Sequence, residues 1–270
     1  MKKIFVLLFL ICVAVCPFNA SADVWGVRAA DDVNEIIKID PFTGTITTVY
    51  TAPNYASGNT EIGLAGWSSQ LFYTNADVEN GKIYLIDPAT GLSSGNYMVS
   101  GGWEIDGLGY WSNTTDSYIY TSGCSVNDVH RYNAVGGSSP YFYYSNVEDP
   151  QSMAGDNGGA IFTVGWVGQQ YGIWEIDPEV DADAVWFAAV PDILRSVVGM
   201  AYDGKYLYLS DTNNMLVTLD NAGNVVGSIE LNDTLWALAS TEGTGTQVPE
   251  PLSLLLLGLG LAGIGWLQRK

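Results

Sequence analysis

Ile39-Asp40-Pro41-Phe42-Thr43-Gly44 returns along this chain as Ile86-Asp87-Pro88-Ala89-Thr90-Gly91, Tyr132-Asn133-Ala134-Val135-Gly136, Ile176-Asp177-Pro178-Glu179-Val180 and Leu219-Asp220-Asn221-Ala222-Gly223. Taken at the Asp or Asn, the intervals are 47, 46, 44 and 43 residues. An Asp or Asn side chain accepts bonds from the backbone N–H groups that follow it, Pro presets the first turn dihedral, and Gly takes the left-handed position. Runs such as Lys82-Ile83-Tyr84-Leu85-Ile86 before the turn and Ile46-Thr47-Thr48-Val49-Tyr50 after it alternate as strands do, so each unit reads as a β-hairpin. Asp40, Asp87, Asp177 and Asp220 are therefore expected to be structural turn residues. Spread through separate repeats, they cannot converge on one ion.

A second signature sets a small residue on each side of an apolar one: Gly63-Leu64-Ala65, Gly107-Leu108-Gly109, Ser152-Met153-Ala154, Gly199-Met200-Ala201 and Ala237-Leu238-Ala239. An aromatic-rich strand follows each of the first four, as in Leu71-Phe72-Tyr73 and Tyr206-Leu207-Tyr208-Leu209. Small residues suit strands that converge on a crowded axis. Four strands in a unit of about 44 residues is the signature of a β-propeller. The phase of the two extremities matters most. Val24-Trp25-Gly26-Val27 matches the second strand of a unit and Leu235 to Ser240 matches the first, so together they complete one blade. The expected fold class is all-β, a five-bladed propeller over residues 23–240 closed by pairing of its N- and C-terminal strands. An open β-sandwich would explain the alternation but neither the period nor the phase. The Asp-Pro-x-Thr-Gly turns also resemble those of bacterial NHL and YncE-like propeller repeat proteins.

Both extremities look like addresses. Met1-Lys2-Lys3, an apolar stretch from Ile4 to Val15 and the small residues Ala20-Ser21-Ala22 read as a secretory signal peptide over residues 1–22, cut after Ala22. A lipoprotein reading would use Cys16, but the Val15 ahead of it is bulkier than such sites take. At the other end a Ser/Thr/Gly-rich linker, 241–247, leads to Val248-Pro249-Glu250-Pro251, then an uncharged span from Leu252 to Leu267, then Gln268-Arg269-Lys270. As a helix that span reaches about 24 Å, short of a bilayer core of about 30 Å, although Trp266 at the headgroups and snorkelling Arg269 and Lys270 would extend it. Segment 248–270 resembles the PEP-CTERM sorting signal of Gram-negative bacteria, which implies cutting near Pro249, Glu250 and Pro251 by an exosortase, a membrane protease, after transient insertion in the inner membrane. A retained single-pass anchor is the alternative. The resemblance implies a protein exported across the inner membrane, anchored before processing and at the cell surface or outside the cell after it.

The whole chain holds 10 Lys and Arg against 29 Asp and Glu. Without the leader and the tail, six basic residues face 28 acidic ones, a formal charge of −22. Nucleic acid and anionic lipid surfaces would repel such a body. Cys124 is the only cysteine left in it, so no internal disulfide can form. Stability must come from a core, and about 225 residues suffice for one.

Catalytic constellations are poorly represented. His130 is the single histidine, lies in the strand Asp128-Val129-His130-Arg131-Tyr132, and is expected to be solvated; nothing sets it beside a nucleophile. One Cys and one His cannot build a zinc centre, and no glycine loop has a strand–loop–helix context for phosphate. Two candidates remain. Glu61, Glu104, Asp106 and Asp149, with Gln151 and Arg195, lie just ahead of the small-apolar-small strands, where loops converge on a channel mouth; oxygen ligands there can hold calcium. Exposed aromatic rings among Trp103, Trp111, Trp166, Trp174 and Tyr141-Phe142-Tyr143-Tyr144 can stack on sugar rings, whereas buried ones are core. The expected function is an exported, non-catalytic binding or structural protein without a cofactor. Its setting would be the exopolysaccharide matrix with which PEP-CTERM proteins are associated. The alternative is a calcium-dependent propeller hydrolase or lyase, with the ion as Lewis acid.

Overall fold

A computed structural model of the chain describes residues 23–241 apart from the segments 31–32, 54–61, 68–69, 76–81, 99–104, 106, 114, 124–125, 134–140, 144–145, 156–158 and 179–182. The strands run in chain order as β1 (Val24–Ala30), β2 (Val33–Ile39), β3 (Ile46–Thr51), β4 (Ile62–Trp67), β5 (Gln70–Asn75), β6 (Lys82–Ile86), β7 (Ser93–Met98), β8 (Gly107–Ser112), β9 (Ser117–Gly123) and β10 (Val126–Asn133). They continue as β11 (Tyr141–Tyr143), β12 (Glu148–Gly155), β13 (Ile161–Val167), β14 (Gln170–Ile176), β15 (Val185–Ala188), β16 (Val197–Tyr202), β17 (Tyr206–Asp211), β18 (Met215–Asp220), β19 (Val225–Glu230) and β20 (Leu235–Ser240). They form five four-stranded antiparallel sheets. Four take consecutive strands, while the first is ordered β20-β1-β2-β3. The last strand thus closes the first blade, with Val24 opposite Ser240 and Gly26 opposite Leu238. The fold is the five-bladed propeller that period and phase predict.

The innermost strands β4, β8, β12, β16 and β20 neighbour one another around the axis. Their small residues are a steric necessity. A Cβ on Gly107 would sit 2.8 Å from the Met153 nitrogen of the next blade, and one on Gly199 would lie 3.0 Å from the Ala237 backbone. Gly66 and Gly155 face the backbones of Ser240 and Tyr110 even more tightly. The axial cavity lined by Leu64, Leu108, Ala154, Met200 and Leu238 measures about 10 Å³. That is the room of one water at most, so no small molecule lodges in it.

The core divides into five apolar clusters, one in each gap between blades. Consecutive residues of the middle strands serve different gaps. Ile36 packs with Leu64 and Tyr73 of blade 2, while Ile37 packs with Tyr208 and Leu216 of blade 5. Being covered on both faces, these strands bury adjacent positions instead of alternate ones. His130 shows the consequence. It is 3% exposed, next to the fully buried Val129, and the expectation of a solvated histidine is corrected.

The repeated turns lie along the lower rim, where the innermost strands end. Asp40 Oδ1 accepts from the Phe42 and Thr43 amides at 2.8 and 3.1 Å. Asp87 Oδ1 accepts from the Ala89 amide at 2.8 Å, and Asp220 Oδ1 accepts from the Ala222 and Asn224 amides at 2.9 Å each. Asp177 is exposed at the matching place in blade 4. Gly44, Gly91 and Gly223 close their turns at φ of 72°, 71° and 79°, a region that a Cβ disfavours. The bonds favour ionised Asp220, whose carboxyl is held below its ordinary 3.8, first by the Asn224 backbone bond and then by the Asn224 side chain.

Candidate functional site on the upper rim

The described residues that lead into the innermost strands β12, β16 and β20 lie on the opposite, upper rim. Two fastenings hold it. Arg28 pairs with Glu35 at 2.8 Å and with Asp233 at 3.1 Å, tying β1 and β2 to the approach of β20. Asp211 is fully buried, and its carboxylate accepts from the amides of Asn213, Met215 and Arg195 at 2.9, 2.9 and 3.0 Å. Those bonds satisfy a buried anion and pin the segment before β16 to the β17–β18 hairpin. Arg195 itself is exposed.

Blade 4 carries a broad bulge in its innermost strand. Glu148 faces Trp166 and Ser152 faces Val164, so Asp149, Pro150 and Gln151 together oppose one residue, Gly165. Pro, with no N–H to pair, is at home in such a bulge of the edge strand β12, and bulges re-aim side chains. Asp149 adopts φ 53°, although a residue ahead of proline ordinarily stays extended. Gly165 accommodates the bulge, since a Cβ there would come within 2.8 Å of the Glu148 carbonyl oxygen.

Beside this bulge stands an aromatic pair. Trp166 and Tyr171 face each other across β13 and β14 with ring centroids 5.1 Å apart and planes tilted by 46°. The Tyr171 hydroxyl donates to Gln151 Oε1 at 3.3 Å. Burial raises the Tyr171 pKa, and the nearby Asp149 carboxylate raises it further. Trp166 is 41% exposed, whereas Trp25, Trp111 and Trp174 are buried. Trp186 is 39% exposed but packs edge-on against Trp174 at 5.1 Å, covering Gly172.

Of the four acidic residues expected at a calcium site, the structure places Asp149 alone; Glu61, Glu104 and Asp106 lie outside the described residues. Among the described residues no three His, Cys, Asp or Glu side chains group in a way that could hold a metal ion. Trp103, Cys124, Tyr144, the cleavage residues Ala20 and Ala22, and the tail residues Pro249, Glu250, Pro251, Arg269 and Lys270 also fall outside them. No helix among the described residues is long and apolar enough to cross a membrane. Sequence reading missed the Gln151–Tyr171 contact and the buried Asp211. Pro150 inside a strand was the available signal for the bulge.

No curated protein matches the chain. Among solved structures it is similar to Kuenenia stuttgartiensis hydrazine synthase, with 18% identity over 65% of this chain and 52% of that one and a TM-score of 0.41. It is also similar to Chaetomium thermophilum Raptor, with 10% identity over 78% of this chain and 20% of that one and a TM-score of 0.42. The chain thus matches about half the length of the first and a fifth of the second. A family model does match at the tail: residues 247–270 carry the PEP-CTERM protein-sorting motif, which implies an exported protein that an exosortase processes.

Proposed function

We propose that this protein is a non-catalytic binding component of the extracellular polysaccharide matrix. Its leader, 1–22, would be removed on export, and its tail would be cut near Pro249-Glu250-Pro251. The rigid, acidic ring would then be left at the cell surface or outside the cell. The observation that carries this reading is the sorting motif at residues 247–270. The nearly closed axis, with about 10 Å³ of space, supports contact through a rim over a buried reaction chamber. The charge of the body, −22 between leader and tail, keeps it soluble and away from nucleic acid and anionic lipid.

Fractionating the host and passing the purified protein over neutral and acidic polysaccharides tests the proposal. The expected result is protein in the surface or extracellular fraction, with retention on at least one polymer. Full-length protein confined to the inner membrane, or no retention on any polymer, overturns it.

A further inference from the structure

We infer that the upper rim of blade 4 is a carbohydrate site: Trp166 and Tyr171 form a platform for one face of a neutral pyranose ring, and Gln151 and Asp149 bond its hydroxyls. This rests on the matrix reading above and deepens it by naming the site and the sugar class.

The pyranose C–H groups on one face of a sugar carry slight positive charge and meet the negative face of an aromatic ring, while the hydroxyls radiate sideways to polar groups. The blade 4 rim offers both in one place. An exposed tryptophan in a body that buries Trp25, Trp111 and Trp174 forgoes the stabilisation of burial, and Trp166 packs on Tyr171 while 41% of it stays open to solvent. Its support is rigid. The hairpin is paired from Ile161–Ile176 through Val167–Gln170, and the tight turn that joins its strands includes Gly168 at φ 61°. A platform fixed before binding loses little freedom when the ligand arrives.

The polar side follows from the bulge. By putting three residues opposite Gly165, β12 brings Gln151 to the Tyr171 hydroxyl and Asp149 into its electrostatic reach. The Gln151 amide brings N–H donors and the Asp149 carboxylate brings acceptors, the complement that adjacent sugar hydroxyls require. Gln169 and Gln170 at the exposed hairpin end add uncharged polar groups to the same rim. Charge narrows the ligand. Asp149, the exposed Glu148 and the surplus of acids would repel the carboxylate of a uronic acid, so the site takes neutral sugars.

Affinity electrophoresis of the full-length protein in detergent tests this, with dextran, hydroxyethylcellulose and galactomannan as neutral polymers and alginate as the uronate polymer. Expected are retardation by at least one neutral polymer and none by alginate. Trp166→Ala should weaken the response about tenfold or more, as loss of a central aromatic anchor does, and Gln151→Ala should weaken it several-fold. Trp186→Ala removes an exposed tryptophan from the same blade outside the platform and should leave retardation intact; circular dichroism checks each fold. Should Trp166→Ala unfold the chain, Trp166→Leu, which keeps an apolar side chain but removes the aromatic face, takes its place. Retardation that survives the platform variants overturns the site while leaving the matrix reading standing. No retardation by any polymer overturns both. Platform-dependent retardation by alginate overturns the restriction to neutral sugars.

Discussion

A disulfide across the closing seam turns the pairing of β1 with β20 into a melting temperature. Val24 and Ser240 are directly opposed. The Thr241 amide donates to the Asp23 carbonyl at 3.3 Å, which makes the neighbouring pair, Val24 with Ser240, a non-hydrogen-bonded one. Such pairs have Cα atoms about 4.5 Å apart, within the window of about 4.4–6.8 Å that a disulfide spans. Val24→Cys with Ser240→Cys, in a Cys124→Ser background, closes a loop of about 217 residues. Chain entropy alone would give about 5 kcal/mol, and bridges typically deliver about 2–4 kcal/mol. For a domain of this size each kcal/mol moves Tm by about 2–4 °C, so the oxidised form should melt about 4–16 °C above the reduced form. Oxidised and reduced forms of one variant are compared, so the cost of replacing Val24 cancels. Calorimetry with and without reductant is the assay. Failure of the two cysteines to join in folded protein, or equal melting of both forms, would refute the pairing.

Other consequences can be measured separately. Gly66→Ala drives a methyl group into the Ser240 backbone and should cost about 1–3 kcal/mol or more, whereas Gly95→Ala, with nothing within 4 Å, should stay within about 0.5 kcal/mol; denaturant titration reads both. The Asp220 carboxyl should titrate by NMR below 3.8, so its contribution to stability is present above 3.8 and disappears as pH falls through the folded value; a midpoint at or above 3.8 contradicts the turn bonds. Burial pushes Tyr73 and Tyr132 up to about 12, so the unfolded chain loses these protons first and stability should decline as pH rises from 10 towards 12. Absorbance titration should show both phenols intact at pH 11. In its native host the processed protein should have a mass ending near Val248, and a full-length mass there would contradict processing at the motif.

What was legible in the sequence was local or periodic. Asp40 and Asp87 bond amides two or three residues away, so their turns are written in adjacent letters. Ring closure was legible through phase, because half a repeat at each extremity needs the other half. What escaped depends on neighbours distant in sequence. His130 is buried because blades flank β10 on both sides, and an alternating pattern cannot report two covered faces. Asp211 is fully buried because the Arg195 segment bonds it across 16 residues. Trp166 and Trp174 are the same residue type in adjacent strands of one blade. Only three-dimensional packing separates the exposed ring from the one whose Nε1 donates to the Gly165 carbonyl at 3.0 Å. Glu61, Glu104 and Asp106 lie outside the described residues, so the calcium expectation stands on sequence alone.

Closure of the ring by its last strand holds the five blades in place, and amide hydrogen exchange of the segment Leu235–Ser240 tests it most directly. If β20 is the innermost strand of blade 1, these amides exchange as slowly as those of Tyr206–Asp211 and lose protection together with Val24–Ala30. Exchange of Leu235–Ser240 at the rate of an unstructured peptide, with Val24–Ala30 still protected, would contradict the closed ring.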